Sequence, residues 1–196
     1  MKVHKASIPV RARALQFNVA GLLRSATGAQ RRHTIEVKAP SLEDLVFSGP
    51  LHGTVLLTRT AQGILLEAHL KTVVRLTCDR CLEPFDQPLD VAWSEEFHPS
   101  VDILTGRPLP VDLDDLDEAI VIDSHHIMDL AETIRQHLLL ALPIHPLCRP
   151  DCAGICPVCG AVRNREPCTC QAEPVDPRWA ALASLLRDEE DPGLEA

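Results

Sequence analysis

Gly63-Ile64-Leu65-Leu66-Glu67-Ala68-His69-Leu70-Lys71-Thr72-Val73-Val74-Arg75-Leu76-Thr77 decides the fold. Ile64, Leu66, Ala68, Leu70, Thr72, Val74 and Leu76 share one face, while Glu67, His69, Lys71 and Arg75 share the other. Alternation with a period of two is the signature of a half-buried antiparallel strand. Upstream, Gly53 to Thr60 is a second β-branched run, joined to the first through Ala61-Gln62 as a hairpin. Downstream, Pro88 to His98 sets Leu89, Val91, Trp93, Glu95 and Phe97 on one side as a third long strand. Cys78 and Cys81 therefore fall in the turn between two strands.

Further out the signals are shorter. Leu15, Phe17 and Val19 alternate as a strand, Arg24 to Arg32 reads as a basic loop, and Thr34 to Val37 is another strand. Pro40 with Ser41-Leu42-Glu43-Asp44 predicts a short helical turn capped by Ser41. Residues 99–118 form an acidic loop before a short strand, Ala119 to Ile122. Asp129 and Glu132 then make a capping-box pattern ahead of Leu130, Ile134, Leu138 and Ala141 at helical spacing, closed by Pro143. His125 and His126 fall on a polar loop, and His137 on the exposed side of that helix. Asp176-Pro177 opens a last helix carrying Trp179, Leu182, Leu185 and Leu186.

These elements predict an α+β fold: an antiparallel sheet of four to six strands packed by one or two helices, with a C-terminal cysteine-rich segment that binds zinc. The expected division is an α+β domain over 1–145, a zinc-binding segment over 146–172, a helix over 173–188 and a frayed tail over 189–196. With only 3% aromatic residues and no Tyr among 196, the core rests on Leu, Val, Ile and Ala. The longest apolar run, Leu138 to Leu142, is too short to span a bilayer, and the first residues lack the apolar stretch of a leader, so a cytoplasmic protein without a membrane partner is expected.

In a reducing compartment, clustered thiols are metal ligands more often than disulfides. Six of the eight cysteines fall between Cys148 and Cys170, and Cys156-Pro157-Val158-Cys159-Gly160 has the form of a zinc knuckle, where glycine permits a positive φ. A loop-rich segment with almost no core needs such a crosslink. Cys156, Cys159, Cys168 and Cys170 would close one four-thiolate site, leaving Cys148 and Cys152 to meet Cys78 and Cys81 in another. Cys152 could instead replace Cys168 or Cys170, and His145 is a rival ligand. Disulfides, an iron–sulfur cluster and unbound thiols are the competing readings. A catalytic thiol needs a base in a recognisable arrangement, and no histidine here is tied to a nucleophile by any motif. The crowded carboxylates at Asp112, Asp114, Asp115, Asp117 and Glu118 match no calcium loop and read as a solvated acidic stretch.

Net charge is −9, unevenly spread: residues 1–38 carry eight basic groups against one acidic, residues 39–147 six against eighteen. The chain as a whole is therefore no electrostatic glove for nucleic acid. Arg24, Arg31 and Arg32 in the basic loop, Arg80 in the first cysteine turn, and Arg149, Arg163 and Arg165 beside the cysteine cluster are the candidate RNA contacts. A basic protein facing the acidic middle region is the alternative partner.

Leu76-Thr77-Cys78-Asp79-Arg80-Cys81-Leu82-Glu83-Pro84-Phe85 after a long strand, a helix ending Leu139-Leu140-Ala141-Leu142-Pro143, the cysteine cluster and Asp176-Pro177-Arg178 occur in one order. This arrangement resembles the YceD family, the large ribosomal RNA subunit accumulation proteins, across about residues 15–187. The resemblance implies a role in accumulation of 23S ribosomal RNA. Genes of the family often neighbour one for a large-subunit ribosomal protein, and some members lack the late cysteine cluster that is complete here. It carries no catalytic residues across. The chain is thus expected to be a non-enzymatic ribosome biogenesis factor that binds precursor RNA or a ribosomal protein and has no small-molecule substrate. The alternative is a zinc- or thiol-dependent enzyme acting on RNA or redox partners.

Overall fold

A computed structural model describes residues 14–38, 40–109, 118–170 and Arg178. The expected C-terminal helix over 173–188 apart from Arg178, the tail over 189–196, the first thirteen residues and positions 110–117 of the acidic loop lie outside the described residues.

Two strands of unusual length dominate, β4 (Ile64–Thr77) and β5 (Pro84–Pro99). They pair antiparallel without interruption from Ile64 opposite Phe97 to Thr77 opposite Pro84. The alternation quoted above is realised: Ile64, Leu66, Ala68, Leu70, Thr72 and Val74 are buried, whereas Glu67, His69, Lys71 and Arg75 are exposed. On the solvent face, cross-strand neighbours are ion pairs, Lys71 with Asp90 at 2.7 Å and Arg75 with Asp86 at 2.9 Å. β3 (Leu51–Arg59) and β2 (Gln30–Val37) extend the sheet on one side and β6 (Val121–Ile122) on the other, giving the order β2-β3-β4-β5-β6. β6 runs parallel to β5, the one departure from antiparallel pairing among the described residues. A separate two-stranded ribbon joins β1 (Gln16–Asn18) to β7 (Ile127–Asp129).

The core lies under one face of the sheet. There α1 (Ala20–Leu23) and α2 (Ala131–Leu140) bring Leu22, Leu23, Ile134 and Leu138 against Leu57, Leu66, Leu70 and Phe97. A glycine is required at position 53, because a Cβ there would lie 2.1 Å from the His69 carbonyl oxygen. His137 is not on the exposed side of α2. Its ring stacks on Trp93 with centroids 4.6 Å apart, and its Nε2 lies 3.6 Å from the Glu95 carboxylate.

Other expectations shift by a few residues. The strand expected at Thr34 begins at Gln30, because β3 supplies partners back to Thr58 and pairing outweighs the polar composition of Gln30 to His33. No helix forms at Ser41; the chain turns at Glu43-Asp44 instead, with Asp44 at a φ of +62°. Asp129 does accept the Ala131 amide at 2.9 Å, while Glu132 turns away to Arg135. Ala119 and Ile120 belong to a 3₁₀ turn ahead of β6 rather than to the strand.

Candidate metal centres

The β4–β5 hairpin ends in the turn Cys78-Asp79-Arg80-Cys81-Leu82, and the chain returns to it seventy residues later. Residues beyond α2 dock on this turn mainly through the backbone. The Asp79 amide donates to the Pro146 carbonyl at 2.9 Å, the Ile155 amide donates to the Arg80 carbonyl at 3.2 Å, and the Arg80 guanidinium donates to the carbonyls of Pro150 and Cys152. Gly154 has a φ of +71°, and a Cβ on it would stand 3.0 Å from the Arg80 carbonyl oxygen, so glycine lets the two segments approach.

This docking assembles an inner quartet, Cys78, Cys81, Cys148 and Cys152, and the following turn assembles an outer one, Cys156, Cys159, Cys168 and Cys170. Within each, the four sulfur atoms lie within 4.8 Å of one another. Cys78 and Cys152 sulfurs are 3.8 Å apart, as are those of Cys81 and Cys148. A tetrahedral metal with bonds of about 2.3 Å to sulfur has edges of about 3.8 Å, so these donors fit a four-thiolate ion, whereas a disulfide needs about 2.05 Å. Both clusters could hold a metal ion. Cys152 joins the inner quartet, and His145 joins neither: its Nδ1 faces Asp79 at 3.2 Å and its side chain is exposed.

Local hydrogen bonds favour ionisation at one sulfur of each quartet in particular. Burial opposes a charge on Cys78, but the backbone amides of Cys148, Cys81 and Arg80 outweigh it and bring its pKa to about 6. The amides of Cys159 and Val158 do the same for Cys156, also to about 6. Their neighbours move the other way. Burial and the adjacent sulfurs push Cys148 to about 12, and Cys159 followed by burial pushes Cys170 to about 11. Four sulfurs crowded together resist sharing negative charge, and a divalent cation among them removes that resistance.

The two turns are built alike. In each, the amide of the residue after the second cysteine donates to the carbonyl of the first at 2.9 Å, and that residue is left-handed: Leu82 at φ +59° and Gly160 at φ +73°. The surroundings differ. The inner quartet sits in an apolar shell of Phe85, Leu147 and Val162. Asn164 donates to the Cys152 sulfur at 3.0 Å while its oxygen accepts from the Ala153 amide and from Arg149. The outer quartet keeps only Cys156 fully buried, with Cys159 and Cys170 exposed.

The candidate RNA contacts divide the same way. Arg80 is spent on carbonyls, Arg149 on Asn164, Arg163 on the sulfurs of Cys156 and Cys168, and Arg165 on Glu83 at 2.9 Å. Arg31 and Arg32 lie on the edge strand β2 and Arg24 follows α1; all three are exposed and have no ion-pair partner among the described residues. Sequence reasoning missed the pairing role of Asn164 and the left-handed Leu82. Aligning Cys81-Leu82 with Cys159-Gly160 carries the second signal; nothing local carries the first.

A long β-hairpin whose tip meets a cysteine-rich segment at one four-cysteine cluster, with a second cluster inside that segment, defines an α+β protein whose cysteines could hold metal ions. Residues 66–186 match the family described as "Large ribosomal RNA subunit accumulation protein YceD", and the chain belongs to that family. The match holds all eight cysteines and excludes Arg24, Arg31 and Arg32. Among curated relatives, an uncharacterized protein of Mycobacterium tuberculosis is 35% identical over 132 residues, 67% of this chain and 59% of its own. The chloroplastic "Large ribosomal RNA subunit accumulation protein YCED homolog 1" of Zea mays is 28% identical over 182 residues, 82% of this chain and 57% of its own. The chain thus spans less than two thirds of these relatives. No solved structure matches it.

Proposed function

We propose that the chain is a cytoplasmic, non-enzymatic ribosome biogenesis factor that supports accumulation of 23S ribosomal RNA, with a zinc ion in each quartet. Membership of the family carries this reading. The chemistry of the site is consistent with it: thiolate sets favour soft ions, four protein ligands leave no open coordination position, and all eight thiols are used, so neither a metal-bound water nor an uncoordinated thiol is on offer for catalysis. The described residues 146–170 would then act as a metal-folded segment clasped to the tip of the β4–β5 hairpin.

Charge favours a basic ribosomal protein as the partner of the cysteine-bearing end. Four of the seven candidate arginines are committed to local acceptors, and a divalent ion on four thiolates leaves each quartet at −2. A second reading, direct contact with precursor RNA, rests on Arg24, Arg31 and Arg32, which have no acidic partner among the described residues. In-cell crosslinking of the tagged chain, with sequencing of attached RNA and mass spectrometry of attached protein, separates them. A basic ribosomal protein crosslinked over background RNA, and lost with added salt, supports the first. Reads concentrated on the large-subunit precursor and abolished by Arg31→Glu with Arg32→Glu support the second, and neither product contradicts both.

A further inference from the structure

We propose that the outer quartet is a peroxide-oxidisable metal-release site in which Cys159 and Cys170 form the first disulfide, while the inner quartet keeps its ion and holds the segment to the hairpin. This inference rests on the metal reading of the quartets above.

Three observations carry it. Exposure separates the centres: Cys78, Cys81 and Cys152 are 0–4% exposed, whereas Cys159 and Cys170 lie open to solvent. Connectivity separates them too. The inner set joins residues 67 and 74 positions apart, so opening it detaches the segment, whereas the outer set closes only the local stretch 156–170. Finally, Cys156 and then Cys168 hold the Arg163 guanidinium charged, which sets Arg163 beside those two sulfurs, while Cys159 and Cys170 neighbour each other as the exposed pair.

The oxidant is hydrogen peroxide. One thiolate of the pair attacks a peroxide oxygen, breaking the O–O bond and forming a sulfenic acid with release of hydroxide. The other thiolate attacks that sulfur, forming the S–S bond and expelling a second hydroxide. Two solvent protons convert the hydroxides to water, so two sulfurs lose two electrons and one peroxide becomes two waters. The ion, left with Cys156 and Cys168 alone, dissociates. Arg163 acts here as a positioning residue, through its charge beside Cys156 and Cys168.

The test is peroxide titration of the full chain loaded with zinc, following released zinc with a chromogenic chelator, retained zinc by native mass spectrometry and disulfides by peptide mapping. One zinc equivalent leaves first, together with a Cys159–Cys170 disulfide, and the second stays. In Arg163→Ala the outer ion binds on the order of tenfold more weakly, and Cys156 and Cys168 enter the early disulfides. Loss of both ions together, a first disulfide among Cys78, Cys81, Cys148 and Cys152, or mapping unchanged by Arg163→Ala overturns the proposal. A chain that takes up no zinc contradicts the metal reading itself, a result distinct from two ions leaving together.

Discussion

Leu82 holds a φ of +59° with its side chain 63% exposed, so it bears left-handed strain without burying apolar surface in return. A left-handed conformation costs a residue with a Cβ about 1–2 kcal/mol, part of which glycine returns through its greater freedom when unfolded. Leu82→Gly is therefore expected to raise the unfolding midpoint by the equivalent of about 0.5–1 kcal/mol. Gly160→Ala should lower it by about 1 kcal/mol; a Cβ there meets nothing within 4 Å, so the effect is conformational rather than steric. Thermal unfolding of the metal-loaded protein checks both. Asp90 offers a titration test. Its carboxyl is held below the ordinary carboxylate range by a hydrogen bond from Lys71 and then one from His69. A depressed pKa means a stabilising contribution present above the ordinary value and lost as pH falls through the lowered one. Lys71→Ala should move the Asp90 midpoint upward, as read by carboxyl NMR.

At the scale of elements, legibility followed the strength of the repeating pattern. Ile64 to Leu76 shows six apolar side chains and a threonine at period two, enough to fix β4, its buried face and the cysteine turn at its end. β2 was half legible, since Gln30 to His33 carry no apolar signal and are ordered by β3 across the sheet. α1 and β7, four and three residues long, are too short for any periodicity to show. The quartet grouping was legible from spacing as one of several options, because eight ligands divide into two fours; its choice depends on the Asp79–Pro146 and Ile155–Arg80 hydrogen bonds, which no local pattern announces. Two predictions belong here. Phe97, fully buried at the end of β5, should cost about 3–5 kcal/mol when replaced by alanine. Strong chelation should expose residues 147–170 to protease while β2 to β5 stay resistant, because the first segment depends on metal and the sheet on its apolar core; simultaneous cleavage of both would count against this division.

For the whole molecule, the distribution of charge matters more than its total. Along the sequence, a basic stretch of 38 residues precedes an acidic middle, and a divalent ion in each quartet would leave the cysteine clusters negatively charged. This distribution suits the basic partner proposed above, and the second reading would place its phosphate contacts at Arg24, Arg31 and Arg32. Its shape depends on the inner quartet, where the tip of the longest hairpin and the C-terminal segment meet. The most direct measurement is the ratio of mature large- to small-subunit ribosomal RNA in cells depleted of the protein and supplied with either the wild-type chain or Cys78→Ser with Cys152→Ser. The ratio should fall on depletion and recover with the wild type alone. A ratio that does not fall, or that the double variant restores in full, would contradict a metal-clasped factor for large-subunit ribosomal RNA.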